Sequence, residues 1–416
     1  MLTVLMSVAF AADRAPTPLE PGVPWTVPAR ETWAGAWPTA TPAESGIDPA
    51  KLEALAAYAF SQTGDAAARK GQRTNALVIV RHGKLVYEGY GRGTTSTTPL
   101  LTWSVTKSFG STLYGAAVHE GLVSLDDPAC THYAPMCRPG HDRILITDLL
   151  RMSSGLHWIE TYEASPLFSS VTAMLYTRGS SDMAAFTASQ PIAHPPGAFW
   201  LYSSGDSNVL SAALKKPLGD RYDDYPWTAV FEPLGMTTAT YEKDAAGTYV
   251  ASSYLYASAP DLARWGQLWL DDGTWQGERL LAEGWVRYST TIAPAFYTTP
   301  KSFEHVSSNP GAQWYVNVGD PERSLDPPWP ALPPDAFGAA GHWGKFLWVI
   351  PSWDMVVVRM GDDREYGCSY PGQPECVEDP TQAFTKARFL QMLADAVQPH
   401  EPPPVPEPEP ATEEAP

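Results

Sequence analysis

The chain has 416 residues, of which 44% are apolar and 18% are charged, and its formal net charge is −18. This is the composition of a globular protein that can bury a large core, and it excludes a disordered or fibrous chain. The acidic excess repels polyanions, so we expect no nucleic-acid partner, and no run of about 20 apolar residues exists that could span a membrane.

The first 45 residues divide into a leader-like segment and an irregular arm. Residues 1–11 are apolar and end in Ala9-Phe10-Ala11, a pattern typical of signal-peptide cleavage sites. Because a positively charged start is missing, an ordinary disordered terminus is the alternative. Residues 12–45 are rich in Pro, Trp and Ala and should form an arm over the surface. We therefore expect export to the periplasm or beyond the cell.

Strand-like segments cluster at both ends of the region that follows. In chain order we predict a helix capped by Asp48, a hairpin of residues 76–80 and 85–90, a helix at 104–120, a mostly helical block at 122–255, a helix capped by Ser258, strands at 313–318, 345–350 and 355–360, and a closing helix at 381–397. The Pro/Glu-rich tail, residues 398–416, cannot bury apolar area and should be disordered or extended.

This order predicts one α/β (α+β) domain over residues 46–397. Residues 46–121 and 256–397 would supply an antiparallel sheet flanked by helices, and residues 122–255 an all-helical insert. Four cysteines form two close pairs, Cys130/Cys137 and Cys368/Cys376, which in an exported chain favours two local disulfides. Zinc is the competing reading, but the spacing is not C-x-x-C and no histidine pair lies nearby at ligand spacing. We expect no metal and no other cofactor.

Ser104-Val105-Thr106-Lys107 is an S-x-x-K sequence at the start of a predicted helix. A spacing of three residues places both side chains on one helix face, and the serine N–H at a helix start is free to bind developing negative charge. About one such tetrapeptide is expected by chance in a chain of this length. Taken alone, it therefore favours a capping serine and a solvated lysine.

Two later segments change this reading. Tyr202 follows the turn Pro195-Pro196-Gly197 and precedes a helical run, and His342-Trp343-Gly344 precedes the strand at 345–350. Each alone would be a core tyrosine or a loop histidine. Together with Ser104 and Lys107, they form an ordered set that is much harder to dismiss as chance.

The ordered set resembles the serine β-lactamase and penicillin-recognising family, and more closely its class C β-lactamase-like branch of esterases and 6-aminohexanoate-dimer hydrolases. There S-x-x-K carries the nucleophile, which matches Ser104 and Lys107. The Y-x-N motif is matched at Tyr202 only, because Ser204 replaces the asparagine. The H-x-G form of the third motif is matched by His342-Trp343-Gly344, where β-lactamases carry a lysine for the substrate carboxylate. Both departures are typical of the esterase and amidase relatives.

The resemblance, which spans about residues 45 to 397, implies a β-lactamase/transpeptidase-like fold and hydrolysis through an acyl-enzyme. Ser104 would attack a small carboxylic ester or linear amide, such as a 6-aminohexanoate oligomer. Lys107 and Tyr202 would deprotonate it as a coupled pair, and the sequence leaves open which is the base. The N–H groups of Ser104 and Lys345 would bind the oxyanion, and His342 would orient the tyrosine or contact the substrate.

Further substrate contacts are expected from Ser204, Trp343, Gly344 and Asp182, although Asp182 also reads as a helix N-cap. Two alternatives stay open. One is a β-lactamase or D-alanyl-D-alanine carboxypeptidase, and the other is an exported binding protein without catalysis. The absence of a G-x-S-x-G sequence disfavours an α/β-hydrolase.

Overall fold

The computed structural model describes residues 14–33, 36–62, 67, 71–162, 166–300, 309–363 and 385–397. The helices are α1 (Pro49–Phe60), α2 (Val105–His119), α3 (Ala129–His132), α4 (Ile146–Leu150), α5 (Ser170–Tyr176), α6 (Met183–Ala188), α7 (Ser204–Leu218), α8 (Glu232–Leu234), α9 (Ala259–Leu270), α10 (Trp285–Ser289), α11 (Pro294–Thr298) and α12 (Lys386–Ala396). The strands are β1 (Thr74–Arg81), β2 (Lys84–Tyr90), β3 (Leu100–Leu101), β4 (Thr240–Tyr241), β5 (Leu255–Ala257), β6 (Thr274–Trp275), β7 (Glu278–Arg279), β8 (Asn309–Pro310), β9 (Tyr315–Val316), β10 (Phe337–Gly341), β11 (Lys345–Ile350) and β12 (Met355–Gly361).

The main sheet has seven strands in the order β2-β1-β12-β11-β10-β9-β8, and every neighbouring pair is antiparallel. The first hairpin, β1–β2, therefore joins the sheet through the last strand, β12. Val78 of β1 lies opposite Val358 of β12. The two ends of the folded region thus form one sheet, and the helical block lies between them in sequence.

Side chains of alternate residues face opposite sides of the sheet, as strand geometry requires. Leu77 and Ile79 pack with α1 and α12 on one side, whereas Val78 and Val80 pack with α2 and α9 on the other. At Gly266, α9 comes so close that an added Cβ would lie 2.6 Å from a Val356 methyl group. The glycine therefore lets this helix pack directly against the centre of the sheet.

Local signals predicted the helix starts well. Asp48 accepts hydrogen bonds from the backbone N–H groups of α1, and Ser258 accepts from Asp261 N at the start of α9. The strand Phe337–Gly341 was not predicted, and β4 and β5 form a small sheet with β3, so the insert is not entirely helical. The alanine- and glycine-rich β10 becomes a strand because it pairs with β11 along its whole length.

One predicted disulfide lies within the described residues, where Cys130 and Cys137 are bonded. Cys368 and Cys376, the leader-like residues 1–11 and the tail 398–416 lie outside the described residues. The arm crosses the surface irregularly. It is attached by Arg14, which pairs with Asp148 at 2.7 Å, and by Arg30, which pairs with Asp271 at 2.9 Å. None of the helices among the described residues is long and apolar enough to cross a membrane.

Candidate active site

Ser104 and Lys107 meet at the N-terminus of α2. Ser104 is the N-cap residue, and the Lys107 Nζ lies 3.0 Å from the Ser104 Oγ and 2.9 Å from the Ser252 carbonyl oxygen. Trp103, immediately before Ser104, adopts a left-handed backbone with φ of 50°. A non-glycine residue in this region costs free energy and is kept only where surrounding contacts enforce it. The serine hydroxyl is thus held against the amine by a strained turn.

Lys107 is only 2% exposed. Burial lowers the pKa of its ammonium group from 10.5 to about 8, and the nearby Glu160 carboxylate opposes part of that shift. Its Nζ lies 5.0 Å from the centre of the Tyr202 ring, so an aromatic face covers the amine. A substantial fraction of Lys107 is therefore neutral at mildly alkaline pH, as a general base requires.

Tyr202 precedes α7, whose N-cap is Ser203. Its phenol contacts the Ser104 side chain and the Tyr315 phenol. Burial raises the pKa of Tyr202 well above 10, with a further rise from Tyr315 and the Glu160 carboxylate, and the contact with Ser104 lowers it only in part. Tyr202 therefore remains a neutral phenol, and Lys107 is the better candidate for the base.

These side chains line a small cavity, with a volume of about 10 Å³. Its described lining consists of Ser104, Lys107, Ser108, Met152, Trp200, Tyr202, Pro310, Gly311, Gln313, Trp314, Tyr315 and Ala340. Lys107 is the only cationic residue in this described lining. The lining therefore offers a substrate apolar and aromatic surface rather than a second positive charge.

The backbone at the end of β10 also faces Ser104. A Cβ on Gly341 would lie 2.2 Å from the Thr102 carbonyl oxygen and 3.3 Å from Ser104 N, so only glycine permits this approach. Ala336, at the start of the same extended segment, accepts from Asn317 N on the β9 side. Backbone N–H and C=O groups of successive residues point to opposite edges of a strand. The N–H of His342 therefore points to the β9 side, like the Ala336 carbonyl oxygen, beyond the residues that β9 pairs with. It is the candidate oxyanion donor beside the Ser104 N–H.

This geometry moves the oxyanion role away from Lys345. Lys345 starts β11, which lies between β10 and β12, and it is opposite Gly341 on one side and Met360 on the other. Its backbone groups thus belong to the sheet ladder. The third motif, His342-Trp343-Gly344, forms a turn. The residue whose backbone lies next to Ser104 is Gly341, immediately before that turn.

The expectation for Ser204 is also corrected. Ser204 is fully buried, and it donates from its Oγ to Glu160 Oε1 at 2.5 Å and from its backbone N to Glu160 Oε2 at 3.0 Å. Glu160 also accepts from the Trp158 indole and, at 3.1 Å, from the Tyr162 hydroxyl. Ser204 therefore holds a carboxylate in place behind the cavity and does not face a substrate.

Asp182 has the other role that the sequence allowed. Its Oδ1 accepts from Ala185 N at 2.9 Å, which makes it the N-cap of α6. The next residue, Met183, donates its N–H to Asp244. Asp182 is not among the described residues that line the cavity, so it is a capping residue rather than a substrate contact.

His342, Trp343 and Gly344 form the turn between β10 and β11, and none of them is among the described residues that line the cavity. The His342 ring stacks on Tyr162 at 5.2 Å and lies edge-on to Trp103 at 5.9 Å. The fully buried Arg359 of β12 attaches the turn to the sheet by donating to the Gly344 carbonyl oxygen at 3.0 Å. Trp343 and Gly344 have positive φ angles of 60° and 81°, which define the turn.

Several residues of the site were missed in the sequence. Gln313, at a φ of 64°, donates from Nε2 to the carbonyl oxygens of Leu149 and Leu150, and its own carbonyl oxygen accepts from Ser108. It thereby fixes the segment that carries Tyr315. Glu160, Gln313 and Tyr315 belong to no recognisable motif, and only the aromatic residues around Glu160 could have drawn attention to it.

The chain matches the model of a known protein family. The Beta-lactamase family model matches residues 60–365, which is more than half of the chain. The chain therefore belongs to the beta-lactamase family, and it is a serine hydrolase with the β-lactamase/penicillin-binding-protein fold.

The chain is also similar to individual proteins. The 6-aminohexanoate-dimer hydrolase of Paenarthrobacter ureafaciens is 26% identical over 332 residues, which cover 77% of this chain and 79% of that protein. A Salmonella paratyphi A protein designated a D-alanyl-D-alanine carboxypeptidase is 25% identical over 248 residues, and the match spans only 55% of its length. A Bacillus anthracis structure designated a 6-aminohexanoate-dimer hydrolase has 20% identity and a TM-score of 0.63, covering 80% of this chain and 84% of that one.

Proposed function

We propose that this protein hydrolyses small carboxylic esters or linear amides through an acyl-enzyme formed on Ser104. The observation that carries the proposal is the 3.0 Å separation between Ser104 Oγ and the buried Lys107 Nζ. A serine hydroxyl must lose its proton as it attacks, and a largely desolvated amine with a lowered pKa can accept that proton. The family membership and the 6-aminohexanoate-dimer hydrolase relative support the same reaction class.

The residues divide the steps between them. Ser104 Oγ forms a bond to the substrate carbonyl carbon while its proton moves to Lys107. The Ser104 and His342 N–H groups hold the resulting oxyanion. When the bond to the leaving amine or alcohol breaks, the Tyr202 phenol supplies the leaving group's proton and recovers one from Lys107. Water then attacks the acyl-enzyme, and its proton returns through the same groups to release the acid and free Ser104.

A β-lactamase or carboxypeptidase activity is the second candidate. It is supported by the family and by the Salmonella relative. Both reactions use substrates with a carboxylate, whereas Lys107 is the only cation in the described lining, and its neutral form is the one the mechanism needs. We therefore rank esters and linear amides first.

A substrate panel tests the proposal. Turnover of p-nitrophenyl butyrate, the 6-aminohexanoate dimer, a cephalosporin and a D-alanyl-D-alanine peptide should be measured for wild type and for Ser104→Ala. We expect hydrolysis of the ester or the linear amide that disappears in the variant. Faster hydrolysis of the cephalosporin or the peptide would overturn the ranking of esters and linear amides as the first substrates. Equal rates for wild type and variant would overturn the role of Ser104.

Export to an oxidising compartment belongs to the same proposal. The Cys130–Cys137 disulfide supports it, because disulfides persist outside the reducing cytoplasm. Thiol titration of the purified, denatured protein should therefore find these two cysteines unreactive until a reductant is added. Reactive thiols at both positions in freshly isolated protein would argue for a cytoplasmic location.

A further inference from the structure

A second phenol lies beside Tyr202 in the active site. Tyr315 lines the same cavity as Ser104, Lys107 and Tyr202, and this cavity of about 10 Å³ has room for about one water molecule. The hydroxyl groups of Tyr202 and Tyr315 are hydrogen-bonded to each other, and Tyr202 is also hydrogen-bonded to Ser104. Because Lys107 Nζ lies 3.0 Å from Ser104 Oγ, four polar groups form one continuous chain from the amine to the second phenol.

The segment that carries Tyr315 is fixed to the two helices of the site. Tyr315 lies in β9, opposite Gly338 of β10. Two residues earlier, the Gln313 carbonyl oxygen accepts from Ser108 Oγ at 2.6 Å, and Gln313 Oε1 accepts from Ser207 Oγ at 2.8 Å. Ser108 belongs to α2 and Ser207 to α7. The helix of the candidate base and the helix that follows the candidate proton donor therefore both hold the second phenol in place.

The Tyr202 oxygen becomes negative when its proton passes to a leaving group, and its surroundings oppose that charge. Burial raises the pKa of Tyr202 well above 10, and Tyr315 and the Glu160 carboxylate raise it further. Burial raises the pKa of Tyr315 to about 12, and the hydrogen bond with Tyr202 lowers it in part. Two coupled phenols lose one proton far more readily than a second. After the first proton has left, the remaining one lies between two oxygens and both share the charge.

We propose that Tyr315 is a positioning residue that acts through Tyr202 and shares its negative charge while the leaving group departs. The proposal rests on the proposed function and specifies its substrate class. As the bond from the carbonyl carbon to the leaving oxygen or nitrogen breaks, the Tyr202 proton moves to that atom, and the Tyr315 proton is then shared by the two phenol oxygens. The Lys107 ammonium, which took its proton from Ser104, returns that proton to Tyr202. The substrates that need this pair are those whose leaving group must be protonated, namely alkyl esters and linear amides.

The leaving group provides the test. p-Nitrophenolate is a stable anion that departs without a proton, whereas the ethoxide of ethyl butyrate must be protonated as it departs. Because kcat/KM reports formation of the acyl-enzyme, it is compared for these two butyrates. For Tyr315→Phe, which keeps the ring and removes the hydroxyl, kcat/KM for ethyl butyrate should fall about 10- to 100-fold, the range for one hydrogen bond to a charged group. The value for p-nitrophenyl butyrate should stay close to that of wild type. Equal losses on both esters, or no loss on either, would overturn the proposal.

A kinetic double-mutant cycle tests whether Tyr315 acts through Tyr202. In a Tyr202→Phe background the hydroxyl that Tyr315 assists is missing. Adding Tyr315→Phe should therefore change kcat/KM for ethyl butyrate by less than about twofold, although the same substitution has a large effect in wild type. A further loss as large as the one in wild type would show that Tyr315 acts independently of Tyr202, and it would contradict the proposal.

A matched control removes the hydroxyl of another buried tyrosine. Tyr114 of α2 is 1% exposed, donates to the Leu210 carbonyl oxygen at 2.9 Å, and is not among the described residues that line the active-site cavity. Tyr114→Phe should therefore change kcat/KM for the two butyrates by the same factor. If Tyr114→Phe discriminated between the esters as strongly as Tyr315→Phe does, loss of any buried hydroxyl would explain the result, and Tyr315 would have no special role.

Covalent labelling separates a failure of this inference from a failure of the proposed function. A fluorophosphonate reacts with a nucleophilic serine by loss of fluoride, an anion that departs without a proton. Ser104 should therefore be labelled in Tyr315→Phe at a rate close to that of wild type, and not at all in Ser104→Ala. If wild type is not labelled at Ser104, the proposed function is overturned. If labelling slows in Tyr315→Phe as much as hydrolysis of ethyl butyrate does, this inference alone is overturned, because Tyr315 would then act on the nucleophile.

Discussion

Replacing Lys107 by methionine is expected to make the protein more stable at pH 7 while abolishing hydrolysis. Lys107 is 2% exposed, and burial lowers its pKa from 10.5 to about 8. At pH 7 the folded protein therefore still holds most of this amine as a buried ammonium, which is unfavourable. Methionine has a similar length and fills the same space without a charge.

The size and pH dependence of the effect follow from the two pKa values. A lowering of about 2.5 units corresponds to about 3 kcal/mol, at about 1.4 kcal/mol per unit. Between pH 8 and 10.5 the unfolded chain keeps a proton that the folded chain has lost, so the stability of wild type rises with pH in this window. From pH 7 to 9 this one group contributes about 1.3 kcal/mol of that rise, and Lys107→Met lacks it.

Urea unfolding at pH 7 and pH 9 measures the difference. The advantage of Lys107→Met over wild type should shrink by about 1.3 kcal/mol between the two pH values. The variant also loses the Lys107 hydrogen bonds to Ser104 and Ser252. This loss lowers its stability by a similar amount at both pH values, so the difference between the two pH values remains. Lys84→Met, at an exposed lysine, is the control and should show no such trend. A stability difference that is the same at both pH values would refute the lowered pKa.

Three further substitutions test the site. Tyr202→Phe should reduce kcat at least about 100-fold at an unchanged melting temperature, and near-normal turnover would exclude Tyr202 as the proton donor. Glu160→Gln removes a charge that raises the pKa of Lys107, so the rise of activity with pH should move to lower pH; a shift to higher pH would contradict this. Gly344→Ala should cost at least about 2 kcal/mol of unfolding free energy, because its Cβ would lie 2.1 Å from a carboxylate oxygen. Gly121→Ala, at a similar φ of 71° in open space, should cost about 1 kcal/mol, and equal losses would show that crowding is unimportant.

Features governed by neighbouring residues could be predicted from the sequence. Helix caps are local, and Asp48, Asp182 and Ser258 all cap the helices whose first turns they precede. The three-residue spacing of Ser104 and Lys107 is a property of one helix, and it places their side chains in contact.

Features set by distant pairing could not be predicted. The segment Phe337–Gly341 has few residues that favour strands, and it is a strand because β11 pairs with it. Glu160 reaches Ser204 across 44 residues, so no local pattern announces that contact. The sequence pointed to the Lys345 N–H as an oxyanion donor, whereas the candidate in the structure is the His342 N–H, because the register between β10 and β11 decides which backbone N–H faces Ser104.

Covalent labelling of Ser104 tests the central claim most directly. A fluorophosphonate should be incubated with wild type and with Ser104→Ala, and the modified residue located by peptide mass spectrometry. We expect a single adduct on Ser104 that forms faster as pH rises through about 8, and no adduct in the variant. An adduct on another residue, or no labelling of folded wild type, would contradict the claim that Lys107 and Tyr202 make this serine reactive.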